Sequence, residues 1–147
     1  MRRHCEDRAL PSLQLPLSPV KPPLRIFVIE DSALIRHNLI GALEELAPVK
    51  VVGGATGELD AVLQLSLRSL KCDLVIVDIV LKQGTGLGVL AELAVRQEGR
   101  RFAVLSNYAT PDIRLRALQL GADRVFDKSR DIDELVDYCR ELAAALP

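Results

Sequence analysis

The chain has no strong charge bias: 19 Lys and Arg stand against 20 Asp and Glu over 147 residues, a formal net charge of −1 at pH 7. That balance provides no global basic excess to hold nucleic acid and no acidic excess to make a solvating tail. Long apolar runs are missing too, and no stretch approaches the roughly 18 residues that cross a bilayer. Cysteine is scarce. Cys5, Cys72 and Cys139 are isolated, without CxxC or Cys/His spacing for a metal, and read as free thiols of a reducing cytosol. A phosphate-cradling glycine loop is absent: "GTGLG" at 84–88 neither matches GxGxxG nor follows the first strand. Arg2 and Arg3 are followed at once by acids, and Pro11, Pro16 and Pro19 interrupt any apolar signal-peptide region. These absences point to a cytoplasmic protein with no membrane association and no direct DNA binding.

What is present is a globular composition, 49% hydrophobic and 27% charged, in a chain long enough for one domain with a real core. Residues 1–23 hold most of the prolines and read as a flexible leader; residues 24–147 read as the folded domain, with no output domain after it. From Leu24 the pattern alternates. "LRIFVI" is a strand, and the helix after it, capped by Asp31 or Ser32, repeats Leu34, Leu39, Leu43 and Leu46. "VKVVGGA" is a strand, and a helix over Glu58–Leu70 sets Leu59, Val62, Leu63 and Leu67 on one stripe. "LVIVD" is a third strand, the 84–88 segment a loop, and Val89, Leu90 and Leu93 belong to a helix. "RFAVLS" is the fourth strand; Pro111 starts a helix that ends before Gly121. "DRVF" is the fifth strand, and a helix from Asp131 or Asp133 closes the chain. Five βα units in strict alternation, with strands apolar along their whole length, imply an α/β fold with a parallel sheet covered on both faces. By analogy the order is the flavodoxin-like, doubly wound 2-1-3-4-5.

In such a sheet, chemistry gathers at the carboxyl ends of the strands. Strand 1 ends in Glu30–Asp31, strand 3 in Asp78, strand 4 in Ser106, and Lys128 follows strand 5. Singly, each suits a turn, a cap or solvated surface. Together they set three carboxylates at one edge, where they repel unless a cation joins them. A small hard ion with oxygen ligands, Mg²⁺, is the economical choice. A metal, an accessible carboxylate, a hydroxyl and a lysine suit phosphoryl transfer to the carboxylate, a reaction of positioning and charge neutralisation.

Four segments, "VIEDS" (28–32), "VIVDIVLKQGTG" (75–86), "VLSN" (104–107) and "GADRVFDKS" (121–129), resemble the motifs of the receiver domain of two-component response regulators, in order and spacing. The resemblance runs from Leu24 to the C-terminus and is to the stand-alone, chemotaxis-regulator-like type. It implies Asp78 as phosphoacceptor and Mg²⁺ held by Asp31, Asp78 and the Val80 carbonyl, with Glu30 acting mainly through bound water. It also implies Ser106 as the switch hydroxyl and Lys128 on a phosphoryl oxygen. The donor is then a sensor histidine kinase or phosphotransfer protein, and the output is binding of another protein, from a monomer or a weak dimer through the helix 4–strand 5–helix 5 face. A receiver of this kind is no enzyme beyond its own phosphorylation and slow dephosphorylation; a degenerate receiver would be an interaction module only. The family often has proline where Lys82 and Ser129 stand, and an aromatic where Val125 stands. Phe126 is one place off and is expected on the opposite side of its strand. Other phosphate chemistries fit less well: a flavin phosphate loop after strand 1 needs hydroxyl or glycine donors where this loop opens with two acids, and Glu30–Asp31 lacks the Asp-x-Asp spacing of a dehalogenase-type phosphatase. His37 reads as helix surface.

Overall fold

A computed structural model describes residues 21–96 and 99–147. All but the last three residues of the expected leader, Cys5 among them, lie outside the described residues. The elements are β1 (Leu24–Ile29), α1 (Ala33–Leu46), β2 (Val49–Ala55), α2 (Glu58–Leu65), β3 (Leu74–Val77), α3 (Gly86–Leu93), β4 (Arg101–Ser106), α4 (Pro111–Gln119), β5 (Arg124–Asp127) and α5 (Ile132–Ala144). A short 3₁₀ turn, Ala94–Arg96, extends α3. The five strands pair in parallel in the order β2-β1-β3-β4-β5. Parallel strands need crossovers, and the helices that provide them cover both faces, so β3 is buried along its whole length.

The core divides at the sheet. On one face Phe27, Ile29, Val75, Val77, Phe102 and Val104 pack against α2, α3 and α4. On the other, Ile26, Val28, Leu74, Ile76 and Leu105 pack against α1 and α5. Alternate side chains of each strand serve opposite layers. Phe126 follows that rule: it belongs to the α1/α5 layer, its ring 5.8 Å from that of Tyr138, while Val125 packs on the other side. At the amino ends of the strands Asp73 is held by Arg25 through its backbone N–H (2.8 Å) and two guanidinium bonds (3.1 and 2.9 Å). The hydrogen bonds from Arg25 outweigh the partial burial of Asp73 and hold its carboxyl below the usual range.

Two helices differ from the expected pattern. Leu39 and Leu43 are buried in α1, but Leu34 and Leu46 are largely exposed. In α2 the buried sheet-facing residues are Ala61 and Leu65, with Val62 of the expected stripe packed partly against the same core; Leu59 and Leu63, and Leu67 beyond the helix, are exposed, and the helix ends at Leu65 rather than Leu70. A helix laid on a sheet needs only one inward stripe, and small Ala61 lets α2 approach closely. Leu59 and Leu63, elsewhere on the helix, look like part of a core stripe in sequence because periodicity carries no sign of direction. The 84–88 segment is not all loop either. Thr85 is the N-cap of α3, its Oγ1 accepting from Gly88 N–H at 3.0 Å, so Gly86 and Gly88 lie in the first turn of the helix.

Among the described residues no helix is long and apolar enough to cross a membrane. Cys72 and Cys139 are buried free thiols, the latter pushed up to about 12 by its burial.

Candidate functional site

Strand register decides what meets at the carboxyl edge. Ile29 pairs with Val77, Val77 with Val104, and Ser106 with Asp127. The residues just past those pairs therefore come level. Asp78 N–H donates to the Ile29 carbonyl, and Lys128 N–H to the Ser106 carbonyl, which carries the ladder into the loops.

Among the described residues three polar or charged side chains are buried: Glu30, Asp78 and Ser106, with 3%, 8% and 0% exposure. All three are residues the motifs singled out. Burying a carboxylate without partners is costly, and here the partner is Lys128. Its ammonium donates to Glu30 Oε1 at 2.5 Å and to Asp78 Oδ2 at 2.8 Å, with only 11% of its side chain exposed. Burial disfavours the lysine charge, but the hydrogen bonds and charges of Asp78 and Glu30 outweigh it and hold the ammonium above its ordinary value. One ammonium balances one of the two buried carboxylates, and Asp31, next in the chain after Glu30, is half-buried.

The other oxygen of Glu30, Oε2, accepts from Ser32 N–H at 3.1 Å, and the Glu30 carbonyl accepts from Arg36 at 3.0 Å. Ser32, not Asp31, caps α1 through Ile35 N–H, which leaves Asp31 free of that role. Ser106 Oγ accepts from Tyr108 N–H at 3.1 Å, across its own turn. Val80 lies on the loop after Asp78 with its side chain 53% exposed, and Tyr108 is 59% exposed. Among the described residues no three His, Cys, Asp or Glu side chains cluster closely enough to hold a metal by themselves. A cation here would draw on Asp31, Asp78, the Val80 carbonyl and water. That hard-oxygen set of few carboxylates, with uncompensated negative charge beside it, fits Mg²⁺, which keeps much of its water.

The residues that hold the loop after Asp78 have no signature in the sequence. Gly86 N–H returns to the Ile79 carbonyl at 2.9 Å, and Val80 and Thr85 form an antiparallel bridge across the loop. Glu58 Oε1 accepts from Thr85 N–H at 2.8 Å; Gln83 Oε1 accepts from Leu59 N–H at 3.0 Å, and the Gln83 carbonyl from Glu58 N–H at 2.9 Å. These partners are some 25 residues apart and carry no local signature. The one legible cue was Thr85 ahead of an apolar run, a helix-start signal. On the far side, Arg114 of α4 donates to the Ala109 and Val125 carbonyls (both 3.1 Å), and its guanidinium lies 3.6 Å from Asp131, whose carboxylate accepts from Asp127 N–H.

Known proteins share this arrangement of chain. The sequence matches the family described as the response regulator receiver domain over residues 26–140. A protein-glutamate methylesterase/protein-glutamine glutaminase of Myxococcus xanthus is 34% identical over 110 residues, covering 74% of this chain and 31% of the relative. A probable transcriptional regulatory protein of Picosynechococcus is 33% identical over 121 residues, 80% of this chain and 48% of the relative. The chain thus spans about a third to a half of the curated relatives it matches. Among solved structures, the receiver domain of the putative response regulator NarL from Mycobacterium tuberculosis superimposes with a TM-score of 0.73 at 25% identity, covering 84% of this chain and 98% of that one. The response regulator domain of Thermotoga maritima CheB gives 0.71 at 25% identity, covering 85% and 99%. The strand order, the buried acid–lysine cluster at the carboxyl edge and these matches together place the chain in the response regulator receiver domain family.

Proposed function

We propose that Asp78 accepts a phosphoryl group from a phosphohistidine of a sensor histidine kinase or phosphotransfer protein. The observation that carries this reading is the Lys128 bridge, which fixes one oxygen of Asp78 in a buried, charged pocket. With Oδ2 held by Lys128, Oδ1 is the oxygen that attacks phosphorus. A P–O bond forms, the P–N bond to the donor imidazole breaks, and the imidazole leaves with the bonding pair and takes a proton. Asp31, Asp78 and the Val80 carbonyl would hold Mg²⁺; Glu30, committed to Lys128 and Ser32, would reach it only through water. The ion would neutralise charge on the phosphoryl oxygens. Lys128 holds a second oxygen, and the Ser106 hydroxyl, turning from its own loop, takes a third.

The phosphoryl group adds about −1.5 to −2 charge, and inward movement of Ser106 repacks the α4–β5–α5 face, where Arg114 ties the three elements together. That face then binds a downstream protein or a second copy. The chain turns over no external substrate; its chemistry is its own phosphorylation and dephosphorylation. The test is incubation with acetyl phosphate followed by intact-mass measurement. A single phosphoryl adduct that needs Mg²⁺ and is lost with a chelator is expected. No adduct under any Mg²⁺ concentration would overturn the reading and leave a degenerate receiver that works as an interaction module.

Phosphoryl lifetime follows from the residue two places after Asp78. Val80 has no group to orient a water, so hydrolysis is expected to be slow. A Val80→Asn replacement supplies one hydrogen bond to the attacking water, worth about 0.5–1.5 kcal/mol, or roughly 2–13-fold in rate. The decay of the adduct after donor removal measures it; an unchanged half-life would refute this explanation.

A further inference from the structure

The "GTGLG" segment found no place in phosphate binding, yet its glycines have a structural reason. A Cβ on Gly84, whose φ is +75°, would collide with the Glu58 side chain; one on Gly88 would collide with the Glu58 carboxylate; one on Gly57 would meet the Gln83 side chain at 2.8 Å. Three glycines therefore clear space for a contact between the start of α2 and the loop that follows Asp78. The contact is reciprocal. Glu58 accepts from Thr85 N–H, and Gln83 accepts from the first N–H groups of α2, both through its side chain and through its carbonyl. Thr85 is in turn the bridge partner of Val80. A continuous path runs from the Glu58 carboxylate through Thr85 to the backbone of Val80.

We propose that Glu58, locked with Gln83, is a positioning residue: it fixes the 78–85 loop so that the Val80 carbonyl is presented to the divalent cation that serves Asp78. This rests on the cation-dependent phosphoacceptor reading above. Glu58 touches neither the cation nor the phosphoryl group. It acts by removing the freedom of a loop whose other side chains, Lys82 to Thr85, are exposed. Glycine at 84, with a φ of +75°, makes that loop intrinsically loose, so something outside it has to define its shape. The lock also makes α2 a mechanical partner of the acceptor loop, joining the helix that carries exposed Leu59 and Leu63 to the site.

The test is titration of the full chain with Mg²⁺ alone, followed by amide NMR of residues 78–85. Loss of an outer partner of a metal ligand commonly weakens binding 10–100-fold; since this one acts on a backbone carbonyl, Glu58→Ala is expected to raise the Mg²⁺ Kd about 10-fold. Glu58→Gln keeps an oxygen acceptor for Thr85 N–H and is expected to stay within about threefold of the unaltered chain. Gln83→Ala, at an exposed side chain, removes the bond from Leu59 N–H while the carbonyl bond from Glu58 N–H remains, and is expected to raise the Kd about threefold; it carries the test if Glu58→Ala does not fold. The control is Glu44→Ala. It deletes a chemically similar bond, Val51 N–H to Glu44 Oε2 at 2.9 Å, away from the site, and is expected to leave the Kd unchanged. A Glu58→Ala or Gln83→Ala chain that binds Mg²⁺ as the unaltered chain does would overturn the positioning role while leaving the phosphoacceptor reading intact. An unaltered chain without saturable Mg²⁺ binding would overturn both.

Discussion

Replacing Lys128 with Met is expected to destabilise the fold by about 3–5 kcal/mol and to slow phosphoryl incorporation by about two orders of magnitude. The stability loss comes from what is left behind. Glu30 and Asp78 are almost wholly buried, and Lys128 is the cation that both engage. Met fills much of the space but supplies no charge, so two carboxylates face each other in a low-dielectric pocket. The kinetic loss has a different source: the ammonium no longer neutralises charge growing on the phosphoryl oxygens. Urea unfolding with a chelator present measures the first effect and acetyl phosphate labelling the second. Because the Lys128 ammonium is held above its ordinary value, its stabilising contribution is complete below the usual lysine range, around pH 10, and is lost as pH rises through the higher folded value. The stability difference between the two chains should thus be flat from about pH 6 to 9 and shrink only at strongly alkaline pH. A difference under about 1 kcal/mol at pH 7 would mean that the bridge is worth no more than an exposed ion pair.

A second large effect is expected at Gly86, and its sign is opposite to the usual one. Gly→Ala in a helix ordinarily stabilises by roughly 0.5–1 kcal/mol, because alanine loses less backbone freedom on folding. Gly41, in the middle of α1, has nothing within 4 Å of an added Cβ and is expected to behave that way. Gly86 opens α3 but is buried, and an added Cβ would run into the carbonyl of Asp78 and the Cα of Ile79. These are backbone atoms and cannot rotate aside. Gly86→Ala is therefore expected to cost about 2–3 kcal/mol and to displace the loop after Asp78, reducing labelling of Asp78 as well. Thermal unfolding of the two variants side by side checks the pair. Stabilisation by both substitutions would show that α3 is not pressed against the acceptor backbone.

The sequence displays the parallel sheet because its strands are apolar on both faces, and it displays the site because strand ends are where a parallel sheet gathers chemistry. Glu30, Asp78, Ser106 and Lys128 could be found by noting what ends each strand, and the structure places them level at one edge. Helix faces were harder. Leu59, Leu63 and Leu67 have the spacing of a core stripe, yet Ala61 and Leu65 face the sheet, because hydrophobic periodicity gives a stripe without saying which layer it meets. The Glu58–Gln83 lock was invisible because it joins a helix start to a loop 25 residues on through backbone N–H groups, which no side-chain pattern records. The same holds for Arg114, which donates to the carbonyls of Ala109, in the loop before its helix, and Val125, in β5. Lys128 is an intermediate case: its place at the same sheet edge as Glu30 and Asp78 was legible from the strand ends, but its bonds to both carboxylates were not, since the sequence placed it on a phosphoryl oxygen.

The central claim is that the buried carboxylate of Asp78, held by Lys128, is the atom group that accepts the phosphoryl. The most direct measurement is peptide-level mass spectrometry of the acetyl phosphate-treated chain, with the acyl phosphate trapped by borohydride reduction before digestion. Modification confined to the peptide carrying Asp78, and no adduct on an Asp78→Asn chain, is the predicted result. An Asp78→Asn chain that still takes up phosphoryl in the presence of Mg²⁺, or a trapped group on Asp31 or Glu30, would contradict it.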